Sequence, residues 1–531
     1  MQNKGKNMFS AHKYLLKFIL LLLLINPQNL LIGQTVAPDS ALQVILDELG
    51  GTNLSLSEAL NFARKNSTSI RQAEASYLEA LGSLRRERGY FDPELYFNIS
   101  YQDVKEPTAS FFSGADVLLT KQTQSETGLR LKLPFGTQLD FSLNTLSLKS
   151  NSQFAFLNPQ YTAFGSLSFR QPLLAGFTAT GRKDLTKAEL ESDAAKFNFE
   201  QQVLTVNTEV EKTYWQLYAA ERDYGVQKIV RDRAGEFLRE MELREKAGVV
   251  GPDQVASSKT FLAEQELLLI DRDEDLDKIS DQLAVLIGMR PQGESLRFRT
   301  VDDPPTGFAV TSVDELIEYV HKNNQDLLAL KKKIDIANSL VDAASWEYLP
   351  RLDLVGSLVS SGIGGNSQDV IFGSDTLRTT SSGSFGNMLS QVFNRKFPGW
   401  SIGIELSIPI GFRSGLGEKD RLEASAINIE QQFTELSRIL EQSVRTAHRE
   451  LSHGNDRLKI AKVGVEAAQE QIRIGLIEFQ NGRITALELV QLSEDFAIAQ
   501  RRYSDALVRS VTAAANLRQL TSGKYPEGTD F

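Results

Sequence analysis

The residues whose types and spacing could do chemistry in this 531-residue chain are few. Asp271, Asp273 and Asp275 alternate as they do at the start of a calcium loop, where a hard cation collects carboxylate oxygens. Leu276 stands where that loop needs a glycine and Gln282 where it needs a closing glutamate, so the three acids read as a solvated helix face. Of the four histidines, His12, His321, His448 and His453, the last two lie five apart, the wrong interval for a shared ligand pair on a helix. Gly362-Ile363-Gly364-Gly365 has no helix pattern after it and reads as a loop, not a phosphate cradle. There is no cysteine, which removes disulfides, thiolate metal sites and a lipid-anchored cysteine. No nucleophile–base pair and no catalytic carboxylate pair is found, so neither an enzyme nor a cofactor is expected.

The elements that would position any site come next. Lys4, Lys6, Lys13 and Lys17 precede or enter the apolar run Phe18–Ile25, and Leu30-Leu31-Ile32-Gly33 follows. A basic start, a short apolar core and a small residue make a secretory signal over 1–33. Asn26-Pro27-Gln28-Asn29 interrupts the run too early for a membrane anchor of about 20 residues. A formal charge of −10 argues against a nucleic-acid partner. No other segment is apolar enough for a spanning helix, so any membrane crossing falls to strands.

Past a linker at 34–53 the chain is written twice, as 54–288 and 311–522, with a linker at 289–310 between and a tail at 523–531. Leu56-Ser57-Glu58-Ala59-Leu60 overlies Val313-Asp314-Glu315-Leu316-Ile317 at a shift of about 257, and Asn66 overlies Asn323. Gly248 with its following helix overlies Gly482 with its own. The corner Gln171-Pro172-Leu173 has a counterpart in Ile408-Pro409-Ile410.

Within each half the hydrophobic period switches in a fixed order. Residues 56–91 read as one helix, ended by Pro93. Leu95, Phe97, Ile99 and Tyr101 then alternate with polar residues, as do 129–133, 139–143 and, less strictly, 161–171. The second half offers Leu352–Val359 and Trp400–Ile408, for about six strands in all. Trp400, Tyr96, Tyr101 and Trp346 sit at or near strand ends, where aromatic belts would lie, though ordinary packing explains them too. The Gly-, Ser- and Asn-rich stretch 362–398 reads as an exposed loop. Helices of about 60–70 residues follow, from near Asp184 to Lys246 and from near Glu418 to Gln480, each about 95–105 Å long. Shorter helices close each half at about 252–288 and 485–520. Pro252 starts the first of these, and a Thr485–Glu488 capping box starts the second. Strands with a lipid face must close into a barrel to satisfy their backbone.

This order of helix, strands, long helix and hairpin, written twice, resembles the TolC family of outer-membrane efflux and secretion ducts. The resemblance is carried by Ser57-Glu58-Ala59-Leu60 with Asn66, by Gln171-Pro172-Leu173, and by Gly482-x-Ile484-Thr485-x-x-Glu488-Leu489. It implies a mixed α/β membrane protein: a trimeric outer-membrane β-barrel in a Gram-negative bacterium, continued by a long α-helical barrel into the periplasm. It implies a passive exit duct of a tripartite efflux or type I secretion system. The partners would be two further copies of the chain, a periplasmic adaptor (membrane fusion) protein, an inner-membrane transporter and outer-membrane lipid. Adaptor contacts would fall on the tips Gly248, Val249, Val250 and Gly251, and Gly482, Arg483, Ile484 and Thr485. The periplasmic gate would comprise Glu488, Gln491, Arg483, Asp253 and Gln254. Ile484 stands where the family's latch arginine is common and Gln491 where a second acid is common, so the resemblance implies a gate whose latch is either missing or differently built. The family usually has two strands per half. If the extra hairpin at about 125–149 enters, a trimer has eighteen strands rather than twelve, and its strict alternation favours entry. The competing reading is a non-conducting periplasmic coiled-coil adaptor. That class needs one helical hairpin beside a lipoyl-like module, against the two hairpins written here.

Overall fold

Capping residues and prolines divide the chain where its hydrophobic period changes. The computed structural model of the protein describes residues 40–291, 296–305, 307–309 and 311–525. The signal expected at 1–33 and the end of the 523–531 tail lie outside the described residues. In chain order the first half comprises α1 (Ser40–Glu48), β1 (Thr52–Leu54), α2 (Leu56–Asn66), α3 (Thr68–Gly89), β2 (Glu94–Pro107), β3 (Val117–Lys132), β4 (Gln138–Ser150), β5 (Leu157–Pro172), α4 (Lys183–Lys246) and α5 (Pro252–Ile287). After β6 (Phe298–Thr300), the second half comprises α6 (Val313–Asn323), α7 (Gln325–Glu347), β7 (Arg351–Ser367), β8 (Val370–Phe372), β9 (Asp375–Leu377), α8 (Phe385–Phe393), β10 (Phe397–Ser407), α9 (Arg413–Gln480) and α10 (Ala486–Leu520).

The single helix expected over 56–91 is two, broken at Ser67, whose ψ of 124° leaves the helical region. The same break recurs at Asn324, where the Asn side chain accepts from the N–H groups of Asp326 and Leu327 and so caps α7. Asn324 competes for backbone hydrogen bonds in a way a period count does not register, whereas the Ser67 side chain makes no cap bond. The long helices are as expected. α4 has 64 residues and α9 has 68, about 96 and 102 Å at 1.5 Å per residue. α4 packs on α2, α3 and α7 towards the strands, and on α5 and α10 towards its other end. Among the described residues no helix is long and apolar enough to cross a membrane.

The core lies at mid-height of the bundle. Tyr214, Trp215 and Leu217 of α4 meet Leu283 and Ile287 of α5, Leu56 of α2, Leu316 of α6 and Leu451 of α9. Ala513–Ala515 of α10 are fully buried, so small side chains here let helices approach closely. The two linkers join at this level, because β1 pairs in parallel with β6, Thr52 to Phe298 and Leu54 to Thr300. Tyr214 Oη lies 2.9 Å from Asp302 Oδ2 and 3.0 Å from the Leu54 carbonyl, and receives the Val301 N–H at 3.2 Å. Asp302 Oδ2 also accepts the Leu56 N–H at 2.6 Å, satisfying a donor at the start of α2. Glu221 of α4 accepts the Thr300 N–H at 2.8 Å and its hydroxyl at 2.5 Å. Burial pushes the Glu221 carboxyl up to about 7, against the pull of those two hydrogen bonds.

Six strands form one antiparallel sheet in the order β10-β7-β5-β4-β3-β2. The extra hairpin, β3 and β4, therefore enters the sheet, between β2 and β5. The segment 362–398 differs from the loop expected there. β7 runs through Gly362–Gly365 to Ser367, and 385–393 is a helix. The glycines are a seat for that helix: a Cβ at Gly362 would stand 2.3 Å from the Met388 carbonyl, and one at Gly165 of β5 would stand 2.8 Å from Val392 Cγ1.

Candidate functional site

The two faces of the sheet differ by one residue of register. One hydrogen-bonded row runs Leu95, Leu129, Phe141, Leu167, Leu358, Trp400 across all six strands. These side chains are exposed in the single chain, from 41 % for Leu129 to 76 % for Leu95. The neighbouring row on the opposite face runs Glu94, Arg130, Asp140, Ser168, Ser357, Ser401. Arg130 pairs with Asp140 at 3.1 Å. Arg170 of β5 bridges Asp353 of β7 and Glu405 of β10, at 2.6 Å each, with Arg351 on Asp353 at 2.9 Å. An apolar face and an ion-paired face are what a wall between lipid and water requires. Of the aromatics read as belt candidates, Trp400 and Tyr101 stand on the apolar face. Tyr96 stands on the polar face, under the Arg130 guanidinium at 4.2 Å, because its register is even where Tyr101's is odd. Trp346 ends α7 and is partly exposed.

At the far end, each long helix turns through a glycine in the left-handed region, Gly248 at φ 72° and Gly482 at φ 68°. The Gly248 N–H donates to the Glu245 carbonyl at 2.8 Å and the Val249 N–H to the Arg244 carbonyl at 2.9 Å. The second tip repeats this, Gly482 to Phe479 at 2.9 Å and Arg483 to Glu478 at 2.8 Å. Both are Schellman closures, which need the positive φ that glycine gives freely. The next helix then starts from Gly251 with Pro252 in the first helical position, or from Thr485. Val250 lies between these two signals in the first tip and is partly buried.

The expected gate residues are placed unevenly. Glu488 holds the capping box: its Oε2 accepts the Thr485 N–H at 2.7 Å, and its own N–H donates to Thr485 Oγ1 at 3.2 Å. A structural duty thus falls on the acid singled out for the pore. Arg483, Gln491, Asp253 and Gln254 are exposed, and among the described residues no ion pair joins Arg483 to Glu488 or Asp253. Ile484 lies over Gly475 of α9, where a Cβ would meet its Cδ1 at 3.6 Å and Leu492 Cδ1 at 2.5 Å. The residue in the latch position packs within its own hairpin.

The bonds that tie the two hairpins together lie higher and were not legible in the sequence. Arg233 of α4 donates to Ser493 Oγ of α10 at 2.7 Å, and the Ser493 hydroxyl in turn donates to the Leu489 carbonyl at 2.8 Å. Gln265 of α5 reaches Glu494 at 3.5 Å and receives Gln227 at 2.9 Å. Burial raises the Glu494 carboxyl, and the nearby acids Asp495 and Glu264 add to it. Only the offset of the two helices brings these residues together, so no spacing within one helix could find them. His448, considered as a metal ligand, sets its Nε2 3.0 Å from the Thr311 carbonyl and ties the start of the second half to α9. Asp273 and Asp275 of the calcium-like run pair with Arg297 and Arg272, at 3.0 and 3.1 Å.

The fold as a whole, and the second half at the level of sequence, resemble outer-membrane efflux channels. Residues 316–523 match the family model of outer membrane efflux proteins. Solved channels share the fold over nearly the whole chain. The CmeC outer membrane channel of Campylobacter jejuni is 14 % identical, with 90 % of this chain and 87 % of that one covered at a TM-score of 0.59. VceC of Vibrio cholerae is 16 % identical, with 88 % and 96 % covered at 0.59. The open MtrE channel of Neisseria gonorrhoeae is 15 % identical, with 90 % and 91 % covered at 0.58. No curated protein sequence matches the chain. The resemblance to the TolC family read in the sequence is thereby borne out, and these matches support an outer-membrane exit duct rather than an adaptor.

Proposed function

We propose that three copies close their sheets edge to edge, β10 of one against β2 of the next, into an eighteen-stranded barrel that conducts cargo out of the cell. Below the barrel, three sets of α4, α5, α9 and α10 make a tube through the periplasm. Its tips receive an adaptor coupled to an inner-membrane transporter, and helix movement there opens the path.

The observation that carries this reading is the pair of unpaired edges. β2 and β10 both lie at a sheet edge and both expose long apolar runs, an arrangement that aggregates unless the edge is paired. The apolar runs are also staggered as a barrel demands. The run on β2 centres on Asn98, whose row reaches β10 at Phe397. The run on β10, Trp400 to Leu406, centres on Gly403, six residues further towards the helices. At about 3.4 Å per residue that is a fall of about 20 Å across about 24 Å of sheet, so a level belt requires strands tilted by about 40°. Closed barrels tilt by roughly 35–45°.

The test is the native mass of protein extracted in mild detergent from isolated outer membranes, followed by conductance in planar bilayers. A conducting trimer is the expected result. A monomer from that fraction leaves too few strands for a wide pore and overturns the reading.

A further inference from the structure

One feature of the sheet is left over by the conduit: the helix α8, lying on the apolar face. Met388 and Val392 turn towards the sheet and are buried against Ala163, with Leu143 and Tyr161 beside them. Leu143, Tyr161, Ala163, Gly165 and Gly362 share the register of Leu167 and Leu358, so α8 covers the side that would meet lipid. The Gln391 side chain receives the Ile363 N–H at 3.1 Å and donates to its carbonyl at 3.0 Å, substituting for β10 where that strand has not yet begun. The helix is thus fixed in place, above the apolar belt at the end away from the bundle.

The outward side of α8 has the composition of a headgroup zone. Asn387, Ser390 and Asn394 are exposed beside Phe393, itself 68 % exposed. The segment 379–396 contains no acid and ends in Arg395-Lys396. On the same face of the adjoining strand, Lys149 of β4 stands directly opposite Lys121 of β3. Like charges so paired are destabilising. Lys121 is compensated by Asp103 at 3.2 Å, whereas Lys149 is exposed with no ion pair among the described residues.

We propose that α8 and the cations Arg395, Lys396 and Lys149 form a binding surface for the phosphate groups of the outer-leaflet glycolipid, with Phe393 set among its acyl chains. The surface continues upward from the apolar belt, carries net positive charge and is rimmed by an interfacial aromatic, which is the chemistry an anionic lipid headgroup recognises. The proposal rests on the barrel reading, because only a closed barrel puts this face towards the outer leaflet.

The test uses the full-length protein in detergent with diphosphoryl lipid A as probe, and phosphatidylglycerol, phosphatidylethanolamine and inorganic phosphate as comparisons. Native mass spectrometry reads oligomer and bound lipid on the same sample. The intact protein is expected to retain lipid A in preference to the other three. A variant with Arg395→Ala, Lys396→Ala and Lys149→Ala is expected to bind lipid A roughly a hundredfold more weakly while keeping its oligomeric mass. Phe393→Ser, which leaves the cations in place, is expected to weaken lipid A without creating a preference for inorganic phosphate. Equal lipid A binding by the triple variant overturns the proposal, as does preference of the intact protein for phosphatidylglycerol or free phosphate. Loss of the oligomer in the intact protein is a different outcome, which sinks the barrel reading beneath it.

Discussion

The seam between chains can be located from the stagger of the apolar belt and then tested with two cysteines. The chain contains none of its own, so any disulfide is one that has been introduced. Along the sheet from β2 to β10 each hydrogen-bonded row climbs relative to the belt by about 1.2 residues per strand, from six residues in five steps. One further step carries the row through Gly403 to about residue 99 of the next chain's β2. Side chains must also keep their faces, so Ser401 falls opposite either Ser100 or Gln102 of the neighbour. Directly opposed residues have Cβ atoms about 4.5–5.5 Å apart, close enough for small adjustments to reach disulfide geometry. Within one chain the two edges lie about 24 Å apart, so no intrachain bond competes. Ser401→Cys combined with Ser100→Cys or with Gln102→Cys should give, on mild oxidation of outer membranes, a reducible trimer band on a denaturing gel. Ser401→Cys with Tyr96→Cys, at least four residues or about 13 Å out of register, should stay monomeric. Monomer from both of the first two pairs, or cross-linking by the third, would refute the stagger argument and with it the tilt of about 40°.

Three further outcomes are expected. Glu488→Gln keeps the capping box, since an amide serves there as well, but removes charge from the tip. Three carboxylates about 6 Å from a passing ion bias it by about 1 kcal/mol after screening, so bilayer cation selectivity should fall about fivefold. Thr485→Ala should do the reverse, costing about 1 kcal/mol of helix stability with selectivity retained, and unchanged selectivity in Glu488→Gln would dismiss the acidic ring. Arg483→Glu, on an exposed tip beside Gly482, should weaken adaptor pull-down and leave the native mass unaltered; loss of both would assign the residue to packing. Glu221, held near 7 in the fold, binds its proton there over a range in which the unfolded chain has released it. Stability should therefore fall by up to about 3 kcal/mol as pH rises from about 4.5 through 7 and then level off, and Glu221→Gln should flatten that slope in thermal melts. Asp223, pushed up to about 6 mainly by burial, adds to the slope below neutrality.

Much of the architecture was legible because it is written in local periods. The two long helices, the six strands, the corner at Pro172 and both tip turns follow from spacing, proline, glycine and capping residues, each acting over a few positions. The duplication was legible for the same reason, and even its shift of about 257 recurs in the paired helix breaks at Ser67 and Asn324. What misled was composition. Gly362–Gly365 looked like a loop because glycine is common in loops, whereas here its missing side chain makes room for α8. Nothing near those glycines states that need. Its cause lies in Met388 and Val392, more than twenty residues along the chain.

The candidate sites divide along the same line. The amino-acid sequence by itself determined which faces are apolar, where the tips turn, and that Glu488 caps a helix, because each depends on residues within about one turn of helix or one strand. Only the tertiary structure decided which polar and charged groups meet: Arg170 with Asp353 and Glu405, Arg233 with Ser493, Glu221 with Thr300. Those pairings arise from the register between strands and the axial offset between helices. Both are fixed by packing across the whole molecule, at sequence separations where no local pattern survives.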